Sequence, residues 1–372
     1  MFLIFAFSFS VGAQDEASEA EKMPDAYADM LNFLSPELKD GLPQELFSDK
    51  IDDVAKGANE LSSPAYLLSR AAKMLTANIQ ELFFTFAILC AVILASAILR
   101  GLGDMASAPI SSIFSFTSSI AVCITIFSVL YGPLSAVSAY LKTLGVLMGA
   151  VLPLMSALYL MGGNVAQAAI NNTAMAAFLR ISEGIIGRSV IPFSSVCMAL
   201  SAASSASAFS GVALTPIGNV IKRTYTTLIS LVAFFMSAAL AVQSTLASRA
   251  DTLAMKGVKF ISSNMIPIVG AAVGEGIRTA SASVSYIRGA VGTVALITLL
   301  LSFFSVFSHL LVLRFFLNLG AGFAEMLDCK AEKGMLCDMA SLVGYIIAAI
   351  SLCTLGFIFA ITIFIKCACA VS

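Results

Sequence analysis

Seven runs of this chain contain no Asp, Glu, Lys or Arg: 82–99, 110–131, 143–161, 189–209, 224–247, 291–313 and 341–365. Each approaches or exceeds the roughly 20 residues that a helix needs to cross about 30 Å of hydrocarbon. Lipid offers no partner for backbone N–H and C=O groups, so segments of this kind must be helical. Composition agrees: 59% of residues are hydrophobic, 12% are charged and the mean hydropathy is +0.95. Soluble domains carry about 25% charged residues. The expected fold is an all-α polytopic membrane helix bundle with about seven spans, within a range of six to eight. Residues 164–181, Ala-rich and closed by Arg180, are expected at the interface rather than as a further span.

The ends of the chain divide it into three parts. Residues 1–13 read as the apolar core and cleavage region of a signal peptide without its basic start. Residues 14–81 form an acidic, exported N-terminal segment, and residues 82–372 the membrane domain. Between 15 and 66, thirteen acidic residues stand against four lysines. Leu31, Leu34, Leu38, Leu42 and Leu46 recur at helical spacing there. Ser35-Pro36 and Ser63-Pro64 each pair an N-cap residue with proline at the first helical position. The second of these starts a helix that would run unbroken into the first span. No basic block exists, so nucleic acid is not an expected partner.

The stretch 259–278 resists this scheme. Its uncharged part, 260–274, is too short to span, and Pro267 interrupts its helical hydrogen bonding. Gly270 and two further glycines follow, and Lys259, Glu275 and Arg278 flank it. Two readings stand: a re-entrant element inside the bundle, or a kinked amphipathic helix on the membrane surface. The following residues, Ile277, Ala280, Val284, Ile287 and Val291, recur at helical spacing, with Arg288 on another face. They predict an amphipathic helix lying along the membrane.

Pro153, Pro192 and Pro267 each sit in an apolar segment, a pattern by which transporters build sites near the midplane; proline is also common in ordinary membrane helices. Arg180 with Glu183, and Glu275 with Arg278, are three residues apart and fit one helical turn. His309, the single histidine, lies in the sixth span. With no carboxylate in any span, a neutral His309 bonded to Ser305 or Ser308 is the simpler expectation than a proton relay. These residues are candidate structural or pathway positions. Gly101-Leu102-Gly103-Asp104 matches the string of intramembrane aspartyl proteases, but no second span carries the partner aspartate that chemistry requires. There is no Gly-Lys pair for a P-loop, and no metal-ligand spacing among the eight cysteines and one histidine. No catalytic, cofactor-binding or metal residue is expected, and no cofactor. Cys329 and Cys337 share a connection and are expected as free thiols.

An exported N-terminus and seven spans put Arg100 and the 248–290 connection on the cytoplasmic side. They put Lys222, Arg223 and the 314–340 connection outside. Lys222 and Arg223 then conflict with the preference of basic residues for the cytoplasm.

Several stretches resemble the stage III sporulation protein AE family. They are Val151–Leu158 followed by Gly162-Gly163, Lys259-Phe260 followed by Ile266-Pro267-Ile268-Val269-Gly270, and the terminal Phe359–Ile363. The acidic exported segment also fits. The resemblance implies a non-enzymatic subunit of a sporulation channel or secretion-like complex in the mother-cell membrane around the forespore, required after engulfment. Its implied partners are sister stage III sporulation membrane proteins and a forespore-side protein, in addition to membrane lipid; self-association is left open. The alternative is an autonomous permease or channel for a small solute.

Overall fold

The computed structural model describes residues 27, 31, 42–48, 50–104, 108–161, 165–207, 216–238, 241 and 269–366. The described regular structure is helical. After a 3-10 turn, Gln44–Phe47, come α1 (Ile51–Leu61), α2 (Pro64–Asp104), α3 (Ala108–Met161) and α4 (Val165–Ile181). A π-helical turn, Ser182–Gly187, joins α4 to α5 (Arg188–Ser207). Then follow α6 (216–238), α7 (Val269–Met326) and α8 (Lys330–Lys366).

Local chemistry sets several of these boundaries. Ser63 caps α2: its hydroxyl accepts from the Tyr66 N–H at 3.3 Å and its carbonyl from the Leu67 N–H at 3.2 Å. Pro64 occupies the first position, where the missing N–H costs nothing. The helix then runs unbroken into the first span, as the sequence predicts. Upstream, Leu31, Leu42 and Leu46 are buried, and the Tyr27 hydroxyl donates to the Leu46 carbonyl at 3.0 Å. The signal-like residues 1–13 lie outside the described residues.

Cross-helix contacts fix the directions. Ser118 meets Glu332, Tyr140 bonds Thr354 at 2.6 Å and Tyr159 packs on Phe364, so α3 and α8 run parallel. Lys222 reaches Asp338 and Met236 abuts Gly356, so α6 runs with them. Asn78 bonds Ser308 and Phe86 stacks on Phe316, so α2 and α7 are parallel to each other. The α7–α8 turn sets that pair against the first set. The α4–α5 rod runs with α2 and α7, because Phe178 packs on Phe357 and Ser201 bonds Asp338. The result is an up-and-down bundle.

Exposed large apolar side chains mark where lipid meets it. They are densest over Ile79–Leu102 on α2, Ile113–Tyr131 on α3, Ile217–Phe235 on α6 and Leu311–Met326 on α7. Others lie outside these stretches, at Leu68 and Leu75 on α2, Val146 and Leu160 on α3, Ile191 and Val196 on α5, and Leu355 and Phe359 on α8. Each of the four dense stretches measures about 24 to 36 Å at 1.5 Å per residue, the height of a hydrocarbon core. All four begin near one end of the bundle, the end that holds the α2–α3 and α7–α8 connections.

Five helices among the described residues are long and apolar enough to cross a membrane, against the seven expected. Two expected spans account for the difference: 224–247, whose described part is α6, is not among the five, and the other is lost in α3. Runs 110–131 and 143–161 are one helix of 54 residues, about 80 Å long, with no turn between them. Pro133 and Pro153 both sit inside it. Residues 164–181 are likewise no separate surface helix: they continue into α5 through the π turn. The predicted surface helix before 291 is also part of a longer rod, α7, of 58 residues. Ile287, Arg288 and Val291 are buried in it. Losing one crossing at α3 inverts every later assignment. That is why Arg100 and the α7–α8 connection, expected on opposite sides, share one end.

The connection itself is a tight turn rather than a long loop. Residues 318–321 are still helical. The Cys329 N–H donates to Ala324 at 2.9 Å and the Asp328 N–H to Glu325 at 3.0 Å, the paired bonds of a Schellman motif. Asp328 takes the left-handed conformation (φ 54°) usually given to glycine there. Cys329, buried next to it, closes the hydrophobic side of the turn.

Candidate functional site

Two ion pairs gather at the α2–α3/α7–α8 end of the bundle. Glu332 sits in the first turn of α8, where the helix dipole favours a carboxylate, and its side chain has no exposed surface. Arg100, one turn before the end of α2, donates through Nη2 to both Glu332 oxygens at 2.6 Å. Ser96 donates to Glu332 Oε1 at 3.0 Å and Ser118 at 3.4 Å, and the two hydroxyls bond each other. The cluster therefore ties α2, α3 and α8. One and a half turns further along α8, Asp338 accepts from Lys222 at 2.6 Å and from Ser201 at 3.3 Å, tying α5 and α6 to the same helix.

The cluster is satisfied but not saturated: Arg100 Nε is buried and has no hydrogen-bond partner among the described residues. Between the two pairs, α3, α5 and α8 leave an apolar cavity of about 160 Å³ lined by Cys123, Ile126, Met198, Met335 and Met339. A smaller polar pocket of about 30 Å³ lies beside Lys222 and Asp338, lined also by Ser201, Ser204 and Asn219. It has room for a water, and it offers the polar partners one needs. At the opposite end, Arg288 is 1% exposed, its guanidinium 5.5 Å from the Tyr159 ring and 5.7 Å from the Phe364 ring. That cation joins α3, α7 and α8 where the first cluster joins α2, α3 and α8.

The residues singled out from sequence are not brought together. Pro153 lies inside α3 and Pro192 inside α5, roughly 20 Å apart along the bundle axis. The π turn ends at Gly187, just before Arg188, whose carbonyl Pro192 leaves without its helical donor. Pro267 lies outside the described residues. Gly270, Glu275 and Arg278 belong to the first turns of α7, and their side chains lie outside the described set, as does that of Glu183. The expected three-residue spacing of Arg180 and Glu183 falls on the junction with the π turn, which departs from α-helical register; the Arg180 side chain is exposed.

His309 is half-buried, and its expected serine partner is engaged elsewhere. Asn78 donates to Ser308 at 2.8 Å, and Ser308 donates to the Ser305 carbonyl at 3.1 Å. A carboxylate does stand near it: Glu81, one residue before the predicted first span, lies within electrostatic reach. Asp104 is the last residue of α2. Cys329 and Cys337 are free thiols. Burial pushes the Cys329 thiol up from its ordinary range, with Glu332 adding to the shift. Among the described residues no three His, Cys, Asp or Glu side chains cluster as metal ligands would.

Sequence reasoning missed Arg100, Glu332, Lys222 and Asp338. Each stands at the edge of an apolar run and was read as a connection charge. Lys222 has Arg223 beside it and Glu332 lies between Lys330 and Lys333, so nothing local distinguished them from their charged neighbours.

A polytopic α-helical membrane protein, fastened at one end by ion pairs between helices, is the class these features define. The chain belongs to the stage III sporulation protein AE family, whose family model matches residues 47–368. No curated protein and no solved structure matches it.

Proposed function

We propose that the chain is a non-enzymatic, multi-pass subunit of a sporulation channel or secretion-like complex. It resides in the mother-cell membrane around the engulfed forespore, where sister stage III sporulation membrane proteins and a forespore-side protein assemble with it. The observation that carries this reading is the family match over residues 47–368. The architecture supports it in a second way. Helices of 54 and 58 residues are much longer than a bilayer requires, so they offer surface beyond the lipid belt for neighbouring subunits.

The test is deletion of the gene combined with affinity capture of the tagged chain from sporulating cells. The reading expects development to arrest after engulfment and other stage III membrane proteins to co-purify. Normal sporulation in the deletion strain would refute it. Saturable solute transport by the purified chain alone in liposomes would replace it with the permease reading.

A further inference from the structure

Among the described residues Arg314 is a charge that the fold leaves unpaired. It lies on α7 within the lipid belt, between exposed Leu311 and Phe315, and is itself exposed. Its side chain is laid sideways over α8: Cζ and Nη1 come within 3.0 Å of where a Cβ on Gly344 would stand. A Cβ at 344 would crowd the guanidinium, so the glycine lets it lie there undisplaced. Among the described residues Arg314 has neither an ion pair nor a hydrogen bond. An unpaired arginine facing hydrocarbon is costly and marks function by default.

Among the described residues one carboxylate lies at nearly the same depth. Asn78 bonds Ser308, an offset of 230 residues, and Phe86 stacks on Phe316 in the same register. Arg314 is therefore level with Phe84, one helical turn from Glu81, an axial difference of about 4.5 Å. Glu81 is exposed and has no ion pair among the described residues. The two do not meet within one chain. Glu81 lies near His309, and His309 is five residues from Arg314, about 140° away around α7. The acid and the base thus face different flanks of the bundle.

We propose that Arg314 of one copy pairs with Glu81 of a neighbouring copy, and that this contact repeats around a closed ring in the membrane plane. Copies inserted in one orientation share the membrane normal as their rotation axis. A contact between two different faces is heterologous, and it closes when the rotation allows. The surfaces fit as well as the charges. Beside Arg314, α8 presents the exposed small residues Cys337, Ser341 and Ala348 on the flank of Gly344, which lets another helix approach closely. Glu81 shares its helical face with Phe84 and Ile88, both exposed, which supply the apolar ridge to lie there. This inference does not rest on the proposed role in sporulation.

The experiment co-expresses two differently tagged full-length chains, extracts them into nanodiscs with native lipid, and measures capture of one tag through the other. Wild-type chains are expected to co-purify. Arg314→Glu in both copies, or Glu81→Arg in both copies, is expected to lower capture at least tenfold, and so is the milder Arg314→Gln. An Arg314→Glu chain mixed with a Glu81→Arg chain regains every opposite-charge contact around an alternating ring, so capture returns to near wild type. Wild-type chains that fail to co-purify overturn the proposal, as does Arg314→Gln with undiminished capture. Loss in the single variants without recovery in the mixture also overturns it, and assigns Arg314 to a lipid phosphate or to the carboxylate of a different spanning helix.

Discussion

Replacing Arg100 with methionine should be far more damaging than its position at the end of an apolar run suggests. Glu332 has no exposed side-chain surface and receives two of its four hydrogen bonds from Arg100. In Arg100→Met the carboxylate keeps only the Ser96 and Ser118 hydroxyls. Breaking a buried pair from one side costs about 3–5 kcal/mol, because a buried charge is left uncompensated. The reverse change, Glu332→Met, should cost less. The Arg100 side chain is 22% exposed and has a route to water. The double substitution removes both charges and keeps apolar volume, so it should return to within about 1 kcal/mol of wild type. A double-mutant cycle in mixed micelles, unfolded by increasing SDS and read by circular dichroism, measures all three. The reasoning fails if Arg100→Met costs under about 1 kcal/mol, or if the two single costs simply add in the double variant.

Three further outcomes follow from particular contacts. Asp328→Gly should stabilise by about 0.5–1 kcal/mol, because glycine takes the left-handed turn position without Cβ strain and the exposed Asp328–Lys330 pair contributes little; thermal unfolding of the purified protein checks it. Gly356→Ala should destabilise by about 1–3 kcal/mol, since its Cβ would stand 2.6 Å from Met236 Sδ and 2.7 Å from the Phe178 ring. Gly322→Ala, where nothing lies within 4 Å, should be neutral or mildly stabilising in the same assay. Maleimide should label exposed Cys337 in the folded protein and spare Cys329 until it unfolds. Because the folded Cys329 thiol is raised, its contribution is intact below the ordinary thiol range near 8.5 and declines as pH rises above it. Cys329→Ala should flatten that alkaline decline in stability.

Hydropathy reported the helices well and their depth poorly, for a physical reason. A run such as 291–299 is apolar because it is buried against other helices, whereas 83–88 on α2 is apolar because it faces lipid. Both give the same local signal, so 143–161 reads as a span when it is the continuation of one. Proline at 133 does not decide the matter: a helix with packed neighbours tolerates it, and α3 passes through. The ion pairs were hidden by sequence distance. Arg100 and Glu332 are 232 residues apart, and each alone looks like a charge at a membrane edge. Once α2, α3 and α8 are packed, the same logic that made these residues look ordinary makes them informative. Charges at that edge which find each other, as Arg100 with Glu332 and Lys222 with Asp338, fix how the helices close. Arg314 and Glu81, deeper in the belt and without an ion pair among the described residues, are charges that the fold does not use for itself. That contrast separates the residues that build this bundle from those that point outside it.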